Sequence, residues 1–169
     1  MTDVSGIEDA FRRAMRRFAA TVSVISVRQG DERHAMTATA VTSLSMAPPS
    51  LLACVYGTSR FHRVLEAEEQ FCVNILYKDQ ASLSQTFSRV LSPEEQERIR
   101  WVDGEDFCYL ADAQAVVQCR KAQQIPFGTH TIFIGTVVSA AVREDVAPLI
   151  FQDGQYGSCV PLAFVPQAL

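Results

Sequence analysis

Residues 35–56 read AMTATAVTSLSMAPPSLLACVY, and this stretch decides the fold. Its first half alternates between small hydroxyl residues and apolar ones, and side chains two positions apart share one face of a strand. The pattern therefore predicts an extended segment with a hydroxyl face and an apolar core face. The hydroxyl residues are Thr37, Thr39, Ser43 and Ser45, interrupted by Val41, and the apolar ones are Met36, Ala38, Ala40, Leu44 and Met46, interrupted by Thr42. Small hydroxyl groups backed by a core suit a flat ligand with a phosphate tail.

The stretch ends in a strand and a loop that extend the same hypothesis. Pro48 and Pro49 stop the ladder of hydrogen bonds, and the apolar run 51–56 predicts a buried strand. A polar loop then precedes a predicted helix at 61–69, with Thr58 or Ser59 as its N-cap. Free N–H groups at such a helix start favour a phosphate, although plain capping explains the same residues.

The rest of the chain is rich in strands. Apolar and β-branched runs predict strands at residues 21–27, 70–76, 113–120, 131–142 and a closing hairpin at 149–156, with a turn-rich connection at 125–130. Helices are predicted at residues 7–18, 79–89 and 92–100, and 101–110 is expected to be irregular. Few connections are long enough for the crossovers of a parallel sheet. The predicted fold is mainly β with helical decoration, a mostly antiparallel and closed or nearly closed barrel, in a single domain over residues 1–169.

Composition excludes several classes of function. The 169 residues are 48% hydrophobic and 20% charged, an ordinary mixture for one globular domain. The net charge of -4 argues against nucleic acid as a partner, because phosphate neutralisation needs a basic surface. No apolar run approaches the roughly 18 residues that span a bilayer, and the acidic N-terminal residues do not resemble a signal peptide. We therefore expect a cytoplasmic protein that does not contact membranes.

Common catalytic and metal-binding motifs are absent from the sequence. No G-x-G-x-x-G, P-loop, H-E-x-x-H or G-x-S-x-G pattern is present. The five cysteines show no Cys-x-x-Cys spacing, so we expect structural thiols and no metal site, with Cys108 and Cys159 as the candidates for reactivity. His130 is the remaining candidate, because it lies in a loop before a β-branched strand. A histidine that is simply satisfied at a strand entry is the alternative interpretation.

Seven segments, in order along the chain, resemble one family. They include MTATAVTSLS at 36–45, FCVNIL at 71–76 and GTHTIFIG at 128–135, and the others are residues 11–22, 48–55, 83–87 and 148–156. The chain resembles the flavin reductase-like, FMN-binding split-barrel family, the small reductase components of two-component flavin monooxygenases. The resemblance implies a six-stranded split barrel, a homodimer and a flavin bound near the dimer interface. It also implies an NAD(P)H-dependent flavin reductase that uses NADH or NADPH, reduces FMN or FAD, and supplies a partner monooxygenase.

The same resemblance implies the residues of the site. The cofactor-binding residues would be Met36, Thr37, Ala38, Thr39, Ala40, Val41, Ser43, Val55, Tyr56, Thr58, Ser59, Arg60, Phe87, Ser88, Arg89, His130 and Tyr156. Backbone N–H groups of residues 36–41 would face the flavin ring, and Ser43 with residues 55–60 would hold the ribityl chain and phosphate. His130 would be the catalytic residue, as an electrostatic donor to the nicotinamide cofactor or to the anionic reduced flavin. Thr129 departs from the family, because many members have Asp there.

Two alternatives remain open at the level of sequence. The protein could keep its FMN and pass electrons to another acceptor, such as corrinoid cobalt, or it could be a non-catalytic flavin-binding module. A yellow protein after gel filtration would favour the first alternative. Failure to oxidise NADH or NADPH with either flavin would favour the second. The sequence leaves the choice of flavin, of nicotinamide and of partner oxygenase open.

Overall fold

The computed structural model describes residues 4–104 and 106–160. The helices in these residues are α1 (Val4–Met15), α2 (Arg60–Ala67), α3 (Ala81–Thr86) and α4 (Pro93–Glu97). The strands are β1 (Ala20–Thr21), β2 (Ser23–Gln29), β3 (Glu32–Ala38), β4 (Val41–Met46), β5 (Pro49–Tyr56), β6 (Gln70–Ile75), β7 (Trp101–Asp103), β8 (Cys108–Leu110), β9 (Ala115–Phe127), β10 (His130–Val142), β11 (Leu149–Gln152) and β12 (Gln155–Ser158). Among the described residues, none of the helices is long and apolar enough to cross a membrane.

The large sheet curls into a barrel. Its strands lie in the order β3-β2-β6-β9-β10-β5-β4, and every neighbouring pair is antiparallel. The two edge strands, β3 and β4, follow each other in the chain through Thr39 and Ala40, and β3 also contacts β5. The Cys54 N–H donates to Ala40 O at 2.9 Å, which ties this link to β5. The predicted antiparallel barrel with helical decoration is confirmed.

Two apolar clusters stabilise the fold. Large side chains such as Phe71 and Phe133 fill the barrel interior. A second cluster, which includes Val22 and Leu149, lies beneath a smaller sheet of order β1-β11-β12. Val22 N–H donates to Leu149 O at 2.9 Å, and Leu76 N–H donates to Val22 O at 2.9 Å, so backbone bonds join this smaller sheet to the chain leaving β6. Removing this apolar surface from water is the main favourable term in folding.

Residues 101–110 were expected to be irregular, and this prediction is wrong. Within this range, β7 and β8 pair as an antiparallel hairpin. Buried Asn74 holds this hairpin on the barrel, since it accepts from Leu110 N–H at 2.8 Å and donates to Val24 O at 2.9 Å. Arg33 on β3 adds an ion pair, in which its Nε lies 2.8 Å from Asp103 Oδ1. These partners are distant in sequence, which explains why the local pattern did not reveal the hairpin.

Three further predicted boundaries are wrong. Strand β9 continues past residue 120 to Phe127, so the predicted turn at 125–130 contracts to Gly128 and Thr129. Predicted helices 79–89 and 92–100 shorten to α3 and α4. The capping box at the start of α4 is confirmed, because the Ser92 side chain accepts from Glu95 N–H and the Glu95 side chain accepts from Ser92 N–H.

The apolar face predicted for residues 36–46 is buried only in its first part. Ala38 is 8% exposed and Met36 packs against the barrel core, whereas Leu44 is 48% exposed and Met46 is 84% exposed. β4 is an edge strand of the sheet, and a register shift between Ser43 and Ser45 disturbs its alternation. The hydroxyl-and-apolar pattern therefore forms two strands with different surroundings rather than one continuous face.

Candidate functional site

A cavity of about 860 Å³ opens where β3 meets the start of α2 and the chain that follows α3. Sites that hold small molecules typically have volumes of roughly 300–1,000 Å³, and this cavity falls within that range. The predicted site residues that line it are Met36, Thr37, Ser59, Arg60, Phe87, Ser88 and Arg89. The sequence reasoning missed His34, Phe61 and Trp101, which also line it. The structure thus brings together residues from three separate predicted segments.

The other predicted site residues do not line this cavity. They are Ala38, Thr39, Ala40, Val41, Ser43, Val55, Tyr56, Thr58, His130 and Tyr156. The side chains of Ala38 and Val55 belong to the barrel core, so only their backbone groups could meet a ligand. Thr39 is exposed and makes no hydrogen bond within residues 4–104 and 106–160, which leaves its N–H available.

Thr37 fixes one wall of the cavity through α3. Its N–H donates to Phe87 O at 3.1 Å, and its hydroxyl donates to Ser84 O at 2.7 Å. A hydrogen bond of 2.8 Å joins the Ser84 hydroxyl to the hydroxyl of Tyr156. The Thr37 N–H is therefore used within the protein and does not face a ligand. The resemblance had implied instead that this group faces the flavin ring. Thr37 and Tyr156 instead orient the segment that carries Phe87 and Ser88.

Ser59, not Thr58, caps α2. The Ser59 hydroxyl accepts from His62 N–H at 3.0 Å, which confirms one of the two predicted caps. Arg60 is the first residue of the helix and is exposed at the cavity wall. Its side chain forms no ion pair or hydrogen bond within the described part of the chain. A guanidinium without a carboxylate partner is well suited to bind a phosphate.

Arg89 differs from Arg60 because it is already paired. Its Nη1 donates to Glu95 Oε2 at 2.9 Å, and its Nη2 contacts the other oxygen of the same carboxylate. These hydrogen bonds from Arg89, with a further one from Ser92 N–H, lower the pKa of Glu95 to about 2. Glu95 therefore stays ionised and holds Arg89 at the cavity wall. The implied role of Arg89 in cofactor binding would require its guanidinium to leave this carboxylate if it is to contact a phosphate.

His130 begins β10, outside the cavity, and lies opposite Tyr56 of β5. The two rings are in edge contact, with centroids 5.4 Å apart. The Thr129 hydroxyl lies 2.9 Å from His130 Nδ1, so the residue that departs from the family pattern contacts the imidazole directly. His130 is exposed, and its Nε2 is left for another partner. The geometry is compatible with contact to a ligand that approaches this end of the barrel.

The two other histidines have different surroundings. His62 is buried, and its Nε2 lies 2.8 Å from Thr131 Oγ1, so it is a satisfied core residue. His34 lines the cavity, and its Nε2 lies 3.2 Å from Glu32 Oε2 without hydrogen-bond geometry. This buried nitrogen has no hydrogen-bond partner in the residues that the structure describes. No sequence signal separated His34 from His62.

Burial removes Cys108 from the candidates for reactivity. It is 1% exposed, and burial raises the pKa of its thiol to about 11. Cys159 is exposed. Within the described residues, His, Cys, Asp and Glu side chains form no group of three or more that could hold a metal ion.

Comparisons with known proteins agree with one another. The model for the flavin reductase like domain matches residues 15–159. The reductase component of the FADH2-dependent resorcinol hydroxylase from Rhizobium sp. (strain MTP-10005) is 46% identical over 160 residues, covering 92% of this chain and 89% of that protein. The reductase component of 4-hydroxyphenylacetate 3-monooxygenase from Thermus thermophilus is 33% identical over 145 residues, covering 86% of this chain and 92% of that protein. Among solved structures, the NADH:FAD oxidoreductase of Streptomyces globisporus superposes with a TM-score of 0.84 at 30% identity, covering 91% of this chain and 94% of that chain.

Proposed function

Because this chain belongs to the flavin reductase-like family, we propose that it uses a reduced nicotinamide, NADH or NADPH, to reduce a flavin, FMN or FAD. The observation that supports this most directly is the cavity beside β3. It combines an aromatic wall with the unpaired guanidinium of Arg60. A flat ring with a phosphate-bearing tail needs both features.

The residues of the cavity fit a flavin. Phe87 and Trp101, with ring centroids 5.7 Å apart, form an aromatic wall against which a ring can pack. Arg60, at the wall of the same cavity, can bind the phosphate. When bound, the flavin supplies a ring that accepts hydride from the nicotinamide.

The chain's own residues bind and orient the two cofactors and exclude water from them. The bonds from Thr37 to the α3 segment hold Phe87 in place, while Glu95 holds Arg89. His130 serves as a donor to the nicotinamide cofactor, with its ring oriented by Thr129. No nucleophile is required, since positioning of two reactants accounts for the rate.

An anaerobic steady-state assay of both nicotinamides against both flavins tests the proposal. We expect the purified protein to oxidise nicotinamide and reduce flavin in equal amounts. Arg60→Gln should raise the KM for the flavin about three- to fivefold, the size of an exposed charge pair. Arg13→Gln, which makes the same change on exposed α1, should leave the KM unaltered. A protein that oxidises neither nicotinamide with either flavin would contradict the proposed function.

The reduced flavin is the product that a partner flavin-dependent monooxygenase consumes. This part of the proposal is supported by the relatives, which are named as reductase components of monooxygenases. The reductase and an FADH2-dependent oxygenase can be placed on opposite sides of a dialysis membrane that only flavin crosses. Hydroxylated product on the oxygenase side is the expected result. Product formation only when the two proteins mix would show direct transfer instead of diffusion.

The chain also acts as a homodimer in this proposal. Large apolar side chains are exposed on β4, on the β9–β10 hairpin and along α1, among them Phe127 at 79% and Phe11 at 63%. A monomer rarely leaves so much apolar surface in water, and a second copy would cover it. Sedimentation should show a dimer for the native protein and dissociation for Phe127→Asp, whereas Ser82→Asp, at an exposed position of α3, should remain dimeric. A native monomer at micromolar concentration would refute the dimer.

A further inference from the structure

A second cavity continues the first one along α2. It has a volume of about 310 Å³, at the lower end of the range for small-molecule sites. Glu32, His34 and Arg60 line both cavities, so the two adjoin across these side chains. Arg63 lines the second cavity and not the first. A ligand that fills the first cavity can therefore extend past Arg60 towards Arg63.

Two unpaired arginines face this second cavity. Arg60 and Arg63 are three positions apart on α2, which places them on the same side of the helix. Neither forms an ion pair within residues 4–104 and 106–160, in contrast to Arg33 and Arg89 at the first cavity. Like charges at this spacing repel each other in a free helix. An anion bound between them would remove that repulsion and gain two charge-assisted contacts.

The rest of the wall offers groups that suit hydroxyls. Glu32 is the carboxylate that lines the cavity, and it can accept from the hydroxyls of a ribose. The buried His34 Nε2, which lacks a hydrogen-bond partner, lies beside it. The Gln29 amide is already bonded to Glu68 Oε1 at 2.9 Å. Two guanidinium groups with an adjacent carboxylate and imidazole match a phosphorylated ribose better than a simple inorganic anion.

We propose that this second cavity binds the adenosine-phosphate half of FAD, so that the protein binds FAD more tightly than FMN. The inference rests on the proposed function, because the isoalloxazine half must occupy the first cavity. Arg60 then contacts the phosphate that both flavins share, and Arg63 contacts the part that only FAD has. Arg63 is therefore the residue that discriminates between FAD and FMN.

Equilibrium titration of the oxidised flavins, followed by quenching of their fluorescence, tests the assignment without turnover. Arg63→Gln should raise the Kd for FAD about three- to fivefold. The Kd for FMN should equal that of the native protein within experimental error. Arg63→Lys keeps the charge and should recover most of the affinity for FAD. Arg13→Gln on α1 is the matched control and should change neither Kd. Raising the salt concentration should shrink the Arg63 effect, because exposed charges are screened over about 8 Å at physiological ionic strength.

The outcomes separate this inference from the function on which it rests. If Arg63→Gln weakens FAD and FMN equally, or weakens neither, the adenosine-phosphate assignment is wrong although flavin reduction stands. If Arg63→Gln leaves both flavin Kd values unchanged and raises only the KM for NADH, the cavity belongs to the nicotinamide cofactor, and the assignment to FAD fails. If no flavin binds to the native protein, the proposed function itself fails.

Discussion

Gly135 lies in the middle of β10, where the strand pairs with both β5 and β9. A Cβ added at this position would lie 2.5 Å from Cζ of Phe71 and 2.7 Å from Cβ of Cys119. Ordinary contacts are about 3.4–4 Å, and both neighbours are fully buried, so neither can move aside freely. We predict that Gly135→Ala overpacks the barrel core.

The magnitude of this effect follows from two opposing terms. Inserting a methyl group into a well-packed core costs about 1–3 kcal/mol. Replacing glycine by alanine inside a strand recovers about 0.5–1 kcal/mol, because glycine loses more backbone entropy on folding. The free energy of unfolding should therefore fall by about 1–2 kcal/mol. For a chain of this length that corresponds to a decrease in Tm of roughly 2–8 °C.

Chemical denaturation of Gly135→Ala and of Gly157→Ala measures the effect with a matched control. A Cβ at Gly157 would meet nothing within 4 Å, so that variant should be as stable as the native protein or slightly more stable. Trimming Phe71 to Leu should make room, and the double variant should lose less stability than the sum of the single changes. If Gly135→Ala unfolds at the same denaturant concentration as the native protein, the packing argument is refuted.

Three further predictions concern the surface and the site. Cys159 should react with a thiol reagent in the native protein, whereas the buried thiols of β6, β8 and β9 should react only after denaturation, because burial raises their pKa. The pKa of Glu95 is depressed by Arg89, so this pair stabilises the fold above about pH 4.5 and loses its effect as the pH falls towards 2; Glu95→Gln should remove that part of the acid sensitivity in a denaturation series. His130→Ala should raise the KM for the nicotinamide cofactor with little change in flavin affinity, and an unchanged KM in steady-state kinetics would exclude the proposed role.

Local chemistry in the sequence was enough to predict much of the fold. Alternation with a period of two predicted the strands, because side chains of a strand point to opposite faces whatever their distant partners are. The Ser59 cap and the capping box at Ser92 were predictable for a similar reason, since a cap bonds to backbone groups only a few residues away. The order of motifs also led to the family and its antiparallel barrel.

Long-range pairing decided what the sequence could not. Residues 125–127 were predicted to belong to a turn-rich connection, yet they form a strand because β10 supplies the partner hydrogen bonds. The hairpin of β7 and β8 exists because Asn74 and Arg33 hold it from other strands. Leu44 and Met46 carry an apolar pattern but are exposed, since β4 lies at the edge of the sheet.

The same division holds for the site. From the sequence, the resemblance implied that Arg60 and Arg89 belong to the flavin site, because a side chain's charge and its place in the chain can be read without a structure. The tertiary structure decided that Glu95 neutralises Arg89 while Arg60 stays unpaired, and that Arg63 joins Arg60 at a second cavity. An ion pair depends on where two side chains meet in space, which residue spacing does not give.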